Sequence, residues 1–297
     1  MKRSYLQRLI SKMISKGIFN FLSDKTFFKL AFWARLNQKL DLENPISLNE
    51  KIQWLKLNDR KESYAKIVDK FAVREFIKET LGEEYLVPLV GGPWNSFDEI
   101  DFDLLPNNFV LKTTHDSGGV VVVPDKSKMD KVAAKKKIVK SMKNNYFYPN
   151  REWPYKNINP QIIAEEYLVD SSGSELKDYK IICFNGKPEN VMVCTGRILN
   201  QVKFYFFDWN WKFLPLNYGD ELLPSDFSIP KPQKLDEMRS IATKLSAGYD
   251  LIRIDLYEAK NQIYFGEMTL YPDSGFDRDI TKNTDLMFGK KLHLTRN

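Results

Sequence analysis

Two acidic side chains, Asp255 and Glu267, stand twelve positions apart in the otherwise strand-like stretch LIRIDLYEAKNQIYFGEMTLYPDSGF, residues 251–276. Ile252, Ile254 and Leu256 alternate with Arg253, Asp255 and Tyr257, the period of a half-buried strand. Lys260-Asn261 supply a polar turn, and Ile263, Phe265 and Met268 mark a return strand. On paired strands the two carboxylates can converge on one hard cation, which takes oxygen ligands and keeps positions for water and phosphate oxygens. Two solvated strand carboxylates are the competing reading, and the better one for an isolated hairpin. The rest of the chain tips the balance by supplying other parts of a nucleotide site.

The first of these is Lys112-Thr113-Thr114-His115-Asp116-Ser117-Gly118-Gly119, set between the apolar runs Phe109-Val110-Leu111 and Val120–Val123. Gly118 and Gly119 let backbone N–H groups approach phosphate oxygens, while Thr114, His115 and Ser117 add donors. The loop joins two strands, so it is a hairpin flap, unlike the strand-to-helix loop of a Walker motif. Glu165 and Glu166 end the strand IIAEEYL, where a carboxylate can accept the amino group of a purine or simply be solvated. Lys70 falls in a helical pattern and Lys180 in a strand, and each alone is an ordinary surface lysine. His115 and His293 are the only histidines, and neither a nucleophile elbow nor metal-ligand spacing accompanies them.

These residues need elements to position them. Ser47-Leu48-Asn49-Glu50 is a capping-box pattern opening a helix. A longer helix is expected from Asp59 to about Gly82, carrying Lys70, then a strand at Tyr85–Val90 that leads into a Gly91-Gly92-Pro93 turn. A Lys-rich helix follows at 127–144, and the strand through Leu168 ends at Asp170-Ser171-Ser172-Gly173, which has the composition of a hinge. Strands at 179–184, 189–194 and 203–208, a helix at 235–247 and the acidic hairpin complete the chain.

At 297 residues with 43% hydrophobic and 28% charged side chains, the composition is that of an ordinary globular protein with room for more than one lobe. No apolar run approaches the ~20 residues of a spanning helix, and Lys12 and Lys16 interrupt any signal-peptide core. Cys183 and Cys194, the only cysteines, lie in apolar strands and suit buried thiols in a reducing, cytoplasmic setting. Residues 1–39 hold nine basic side chains against Asp24 alone. No nucleic-acid-binding module is evident, so nucleic acid is not an expected partner. Leu6, Leu9, Ile10, Met13 and Ile14 recur at helical spacing among Arg8, Lys12 and Lys16. Such a basic amphipathic helix suits peripheral contact at the inner face of a membrane, or docking on its own domain. Phe27, Phe28, Phe32 and Trp33 belong to packing.

The order Lys70, Lys112 with its flap, EEYL, then RxD and ExT resembles the ATP-grasp superfamily. The segments SLNEKIQWLKLNDR, VDKFAVREFIKETLGEEYLVPLVG, SFDEIDFDLLPNNFVLKTTHDSGG, REWPYKNINPQIIAEEYL, DYKIICFNGKPE and RIDLYEAKNQIYFGEMTLYPDSGF resemble the TupA-like ATP-grasp family, linked with teichuronopeptide and surface-polysaccharide synthesis. The likeness covers roughly residues 45–280. It implies an α/β (α+β) ATP-grasp fold, two α/β lobes with antiparallel sheets gripping ATP, plus a helical N-terminal segment. The expected divisions are a basic helical segment at 1–46, a pre-grasp region at 47–105, a small lobe with the flap at 106–168 and a C-terminal lobe with the metal-binding hairpin at 169–297.

By the same resemblance Lys70 and Lys112 contact phosphates and the flap folds over them. Glu165, Glu166, Tyr167 and Leu168 hold adenine, Asp178 faces the ribose, and Lys180 joins the nucleotide site. Asp255, Glu267 and Thr269 bind Mg2+, with Thr269 standing where relatives carry Asn. Arg253 steadies charge on the transferring group, and Arg253, Lys112 and His115 are the catalytic candidates. Asp116 and Asp273 depart from the family's flap and its PGSG-like turn. Candidate substrate contacts are Arg151, Arg197, Lys203, Ser274 and Gly275. The implied activity is ATP-dependent ligation of a carboxylated sugar or polysaccharide precursor to an amine such as an amino acid. A sugar phosphotransferase and a degenerate nucleotide-binding scaffold are the alternatives.

Overall fold

Alternating apolar residues build two antiparallel sheets in the computed structural model, which describes residues 3–170, 176–196 and 201–295. The smaller sheet comprises β1 (Leu89–Trp94), β2 (Phe109–Thr113), β3 (Val120–Val123) and β4 (Ile162–Glu166), in the order β1-β4-β2-β3. The larger comprises β5 (Asp178–Phe184), β6 (Lys187–Thr195), β7 (Lys203–Phe207), β8 (Phe213–Leu214), β9 (Leu251–Ala259) and β10 (Gln262–Thr269), in the order β10-β9-β5-β6-β7-β8. Lys260 and Asn261 both take positive φ, 52° and 59°, as a two-residue hairpin turn with the twist of its strands requires.

Helices cover these sheets. An N-terminal pair, α1 (Tyr5–Ser15) and α2 (Asp24–Leu36), precedes α3 (Leu48–Asn58), α4 (Tyr64–Val68) and α5 (Val73–Thr80). Farther along come α6 (Lys131–Met142), α7 (Phe147–Asn150), α8 (Leu235–Leu245) and α9 (Lys282–Lys291). Helix α6 places Ala134 and Ile138 against Phe109, Leu111 and Ile162 in the small-lobe core, whereas α8 joins Ile181, Ile254 and Leu256 in the large one. The N-terminal pair is docked rather than trailing: Ile14, Phe27, Phe28 and Phe32 are buried, and Arg151 donates to the carbonyls of Asn20 and Leu22. Cys183 and Cys194 are buried free thiols, and burial pushes Cys183 up to about 12. Among the described residues no helix is long and apolar enough to cross a membrane.

Two elements differ from the sequence expectation. The Gly91-Gly92-Pro93 segment lies inside β1, an edge strand with two register shifts, where a proline costs no ladder bond on its open side. The single helix expected after Asp59 is broken at residues 69–72, where the Asp69 carboxylate accepts the backbone N–H groups of Phe71 and Ala72, both at 2.8 Å, in a turn that precedes α5. Lys70 therefore sits in the break and not on a helix. The hinge expected at 170–173 falls, beyond Asp170, outside the described residues.

Candidate active site

Antiparallel pairing sets Lys180, Asp255 and Glu267 on one rung of β5, β9 and β10, and Arg253 and Thr269 on a neighbouring rung. Asp255 and Glu267 are direct partners because Gly266 is an extra residue in β10: Phe265 pairs with Leu256, then Glu267 with Asp255. This bulge turns Glu267 to the face opposite Phe265. It also explains why the apolar positions run 263, 265, 268. Arg253 donates from Nε to Asp255 Oδ1 at 2.7 Å, and from Nη2 to Asp255 Oδ2 at 2.8 Å, Glu267 Oε1 at 3.2 Å and Thr269 Oγ1 at 3.2 Å. The three expected metal donors thus converge on one cationic atom. Hard oxygens from two carboxylates and a hydroxyl suit Mg2+, which leaves its remaining positions to water and phosphate.

The charges are mutually adjusted. Burial opposes ionisation of Asp255, yet Arg253 and Lys180 hold its carboxyl down at about 2. Burial also opposes the Arg253 charge, but Asp255 and Glu267 more than offset it and raise its pKa. Lys180 is buried too. Desolvation weakens its charge, and Asp255, Asp178 and Glu267 together outweigh that and raise its pKa, with Asp178 2.7 Å from its ammonium. Lys180 is therefore an inward-facing member of the cluster, not an idle surface lysine.

The opposite wall comes from the small sheet and the flap. Lys112 reaches Glu165 at 2.5 Å, and Arg74 holds the same carboxylate at 3.5 Å. Lys70 donates its backbone N–H to the Thr114 carbonyl at 2.9 Å and its ammonium to the Asp116 carbonyl. The Asp116 carboxylate turns inward, accepting from Thr113 Oγ1 at 2.5 Å, Gly119 N at 3.0 Å and Ser141 Oγ. Burial opposes its charge, but these donors and Lys70 lower its pKa below the usual value. The carboxylate that departs from the family pattern thus pins the base of the flap. A Cβ on Gly119 would lie 1.8 Å from Thr113 Oγ1 and 2.3 Å from Ser141 Oγ, so only glycine fits there.

Between the walls lies a cavity of about 380 Å³ lined by Lys70, Lys112, Lys180, Arg253, Asp255 and Glu267 among others. It shares Lys112, Val120, Asp178 and Tyr257 with an apolar slot of about 240 Å³ lined by Val87, Val110, Val122, Leu168 and Leu176. Glu165, Glu166 and Tyr167 border the slot, and Glu166 pairs with Lys260. An apolar pocket adjoining a charged cavity, with Asp178 lining both, has the polarity order of a base, a sugar and phosphates.

Several expected residues lie apart. His115 is buried with Nε2 3.1 Å from the Asn144 carbonyl, and lines neither cavity. Thr114 is buried behind the flap, while Ser117 lines the main cavity and meets Tyr146 Oη at 3.0 Å. Gly118 is exposed at the flap tip. Arg151 spends its guanidinium on the N-terminal segment and on Asp24 at 3.5 Å. Lys203 borders a separate surface cavity, and Arg197 lies outside the described residues. Ser274 does line the main cavity, whereas Gly275 packs against Gln53 and Ile52.

Sequence reasoning missed a buried cluster beside the cavity. Glu152 lines it and accepts from Ser274 Oγ; burial raises its pKa, and the nearby Lys56 opposes that. Lys56 is fully buried on α3 and donates to the carbonyls of Asn150 and Ser274, both at 2.9 Å. Burial brings it down to about 7, against the pull of Glu152. The one available signal was the polar pair Gln53 and Lys56 on the helix face that also carries Ile52.

A sequence model of the family described as TupA-like ATPgrasp matches residues 50–293. No curated protein matches significantly. Among solved structures, the chain is similar to the D-alanine–D-alanine ligase of Helicobacter pylori, with TM-score 0.43 and 17% identity, covering 82% of this chain and 69% of that one. It is similar to the D-alanine–D-alanine ligase of Bacillus anthracis complexed with ATP, with TM-score 0.41, 15% identity and coverage of 76% and 61%. It is also similar to the L-amino acid ligase of Bacillus licheniformis, with TM-score 0.43, 13% identity and coverage of 89% and 55%. The chain thus spans less than two thirds of the length of the last two.

Proposed function

This chain belongs to the TupA-like ATP-grasp family, and from that premise we propose that it is an ATP-dependent carboxylate–amine ligase acting on a uronic acid or other carboxylated sugar of a surface-polysaccharide precursor. ATP-grasp enzymes of this kind use ATP and Mg2+ to form carbon–nitrogen bonds. In this reading the substrate carboxylate attacks the γ-phosphorus of ATP, giving an acyl phosphate and ADP. An amino acid's amine then displaces phosphate to leave an amide.

The observation that carries the reading is the convergence of Asp255, Glu267 and Thr269 on Arg253 across a cavity from Lys70 and Lys112. Phosphoryl transfer asks mainly for positioning and for neutralisation of phosphate charge. Lys70 and Lys112 supply cations from one wall, and Arg253 supplies one from the other. Asp255, Glu267 and Thr269 would hold Mg2+, which when bound neutralises phosphate oxygens. Glu165 and the backbone near Leu168 hold adenine over the apolar slot, with Asp178 facing the ribose. The flap, pinned at its base by Asp116, excludes water from the acyl phosphate.

Incubation with ATP, Mg2+ and a panel of uronic acids, with and without hydroxylamine, tests this. A hydroxamate formed with stoichiometric ADP is the expected result. A phosphorylated sugar without hydroxamate indicates a phosphotransferase, and no ADP with any acid indicates a scaffold.

The N-terminal helix supports peripheral contact with an anionic membrane. Helix α1 docks through Gln7, Ile10 and Ile14, leaving Tyr5, Leu6 and Leu9 76%, 54% and 42% exposed beside Arg8, Lys12 and Lys16. A second apolar arc bordered by basic residues is the composition of an interfacial helix. Cosedimentation with phosphatidylglycerol vesicles is expected for the native chain and lost in a Leu6→Ser/Leu9→Ser variant. Equal binding by both removes the membrane reading.

A further inference from the structure

A second cavity of about 300 Å³ adjoins the cleft, and Asp277 lines both. Its wall gathers Arg3 and Arg35 from the N-terminal segment with Arg278 and Lys282 from the chain that follows β10. Among the described residues the side chains of Arg3, Arg278 and Lys282 have no carboxylate within ion-pair distance. Arg35 donates to Asn150 Oδ1 at 2.5 Å and the Pro149 carbonyl at 3.0 Å, and lies over the Phe276 ring, again without a carboxylate. The acids nearby are turned to backbone amides: Asp285 accepts from Asn49 N at 2.9 Å, and Asp277 from Asp279 N at 2.8 Å.

Gathering four basic side chains against two lining carboxylates, Asp277 and Asp285, that are spent on backbone amides has a cost, and it shows. Burial lowers the pKa of Arg3, and Arg278 and Arg8 lower it further. Burial and then Arg3 bring Arg35 to about 10. The N-terminus of α9, a ten-residue helix, adds to the same field, since Thr281 caps it and both Thr281 and Lys282 line the cavity. A fold that keeps three guanidiniums, an ammonium and a helix N-terminus around one space, against two carboxylates already engaged by backbone N–H groups, is arranged for anionic oxygen.

We propose that this basin receives a second anionic group, a phosphate or a further carboxylate, carried by the acid whose reacting carboxylate enters the adjoining cleft. The inference rests on the ligase reading of that cleft and narrows its substrate class to acids with a negative extension. A monosaccharide with one carboxylate fills the cleft only. An oligouronate or a uronic acid phosphate fills both spaces.

Calorimetric titration with Mg–AMPPNP bound, so that the nucleotide cleft is occupied, tests the basin with tetragalacturonate, glucuronic acid 1-phosphate and neutral maltotetraose. Both anions are expected to bind and maltotetraose is not. The stronger of the two anions identifies whether carboxylates or phosphate is preferred. An Arg278→Glu/Lys282→Glu variant, changed at two exposed side chains, is expected to weaken the anions at least tenfold with an unchanged melting temperature. Lys136→Glu/Lys137→Glu, an equal charge change on α6, is expected to leave anion binding intact. Absence of anion binding, equal binding by the basin variant or equal loss in the α6 control overturns the basin. Failure of AMPPNP itself to bind overturns the ligase reading instead.

Discussion

Asp255 and Glu267 face one another across β9 and β10 because Gly266 bulges out of register between Phe265 and Glu267. Deleting Gly266 would leave Glu267 next to Phe265 and still opposite Asp255, whereas inserting one residue after Gly266 would carry Glu267 one position on, opposite Ile254, and turn it toward the core face that Phe265 now occupies. The insertion is therefore expected to abolish Mg2+-dependent ADP formation and to lower the melting temperature, because a carboxylate is forced into apolar surroundings. Gly266→Ala keeps the register. Its Cβ would meet the Asp255 carbonyl at 3.0 Å, a tight contact, and turnover within tenfold of the native rate is expected. Similar losses in the two variants would count against the bulge as the device that aims Glu267.

The two carboxylates should separate in mutagenesis. Glu267 is half-buried and meets Arg253 at 3.2 Å, so Glu267→Gln leaves Arg253 its bidentate partner. Turnover is expected to fall about 10²–10³-fold, the scale for losing one charge-stabilising group, with little change in unfolding free energy. Asp255→Asn leaves the buried Arg253 and Lys180 short of their shared counter-ion. It is expected to cost about 3–5 kcal/mol in stability as well as activity. Denaturant melts and ADP release measured on both variants check the contrast.

Acid should act through the same residue. Folded Asp255, at about 2, binds its proton more weakly than the unfolded chain, whose aspartates sit near about 3.9. Its stabilisation is thus fully present above about pH 4 and is lost as pH falls toward about 2, an amount on the order of 2–3 kcal/mol. The unfolding free energy of the native protein should drop over that window by more than that of Asp255→Asn. Parallel acid limbs in the two proteins would show that Arg253 and Lys180 do not hold the carboxyl down.

The hairpin could be found from sequence because a two-residue period with polar interruptions is local information, and pairing then follows from the Lys260-Asn261 turn. The flap was legible for the same reason, since Lys112 directly precedes it and glycines mark it. What the pattern could not carry is which way a side chain turns once distant elements pack. Asp116 departs from the family's flap pattern, and the donor that explains it, Ser141, comes from the distant helix α6. The apolar period around Lys70 reads as one helix, and the Asp69 carboxylate that holds the turn at Phe71 and Ala72 is a weak signal next to it. Lys56 and Glu152 lie far apart in the chain, and only tertiary packing buries them near one another.

The flap gives the last test. Its base is fastened by Asp116 to Thr113, Gly119 and Ser141, and its backbone is tied to Lys70. Any side chain at position 119 displaces Thr113 and Ser141 together, so Gly119→Ala breaks the fastening while leaving both sheets' cores intact. The expected result is an ATP KM raised at least tenfold, because Lys70 and Lys112 lose their common frame. Asp116→Asn keeps the shape but trades an acceptor for a donor opposite the Ser141 hydroxyl. It should loosen the flap less and raise the fraction of ATP hydrolysed without amide formation, as water reaches the activated acyl group. An unchanged ratio of ADP to amide in Asp116→Asn, together with a native KM in Gly119→Ala, would show that the fastening has no part in closing the site.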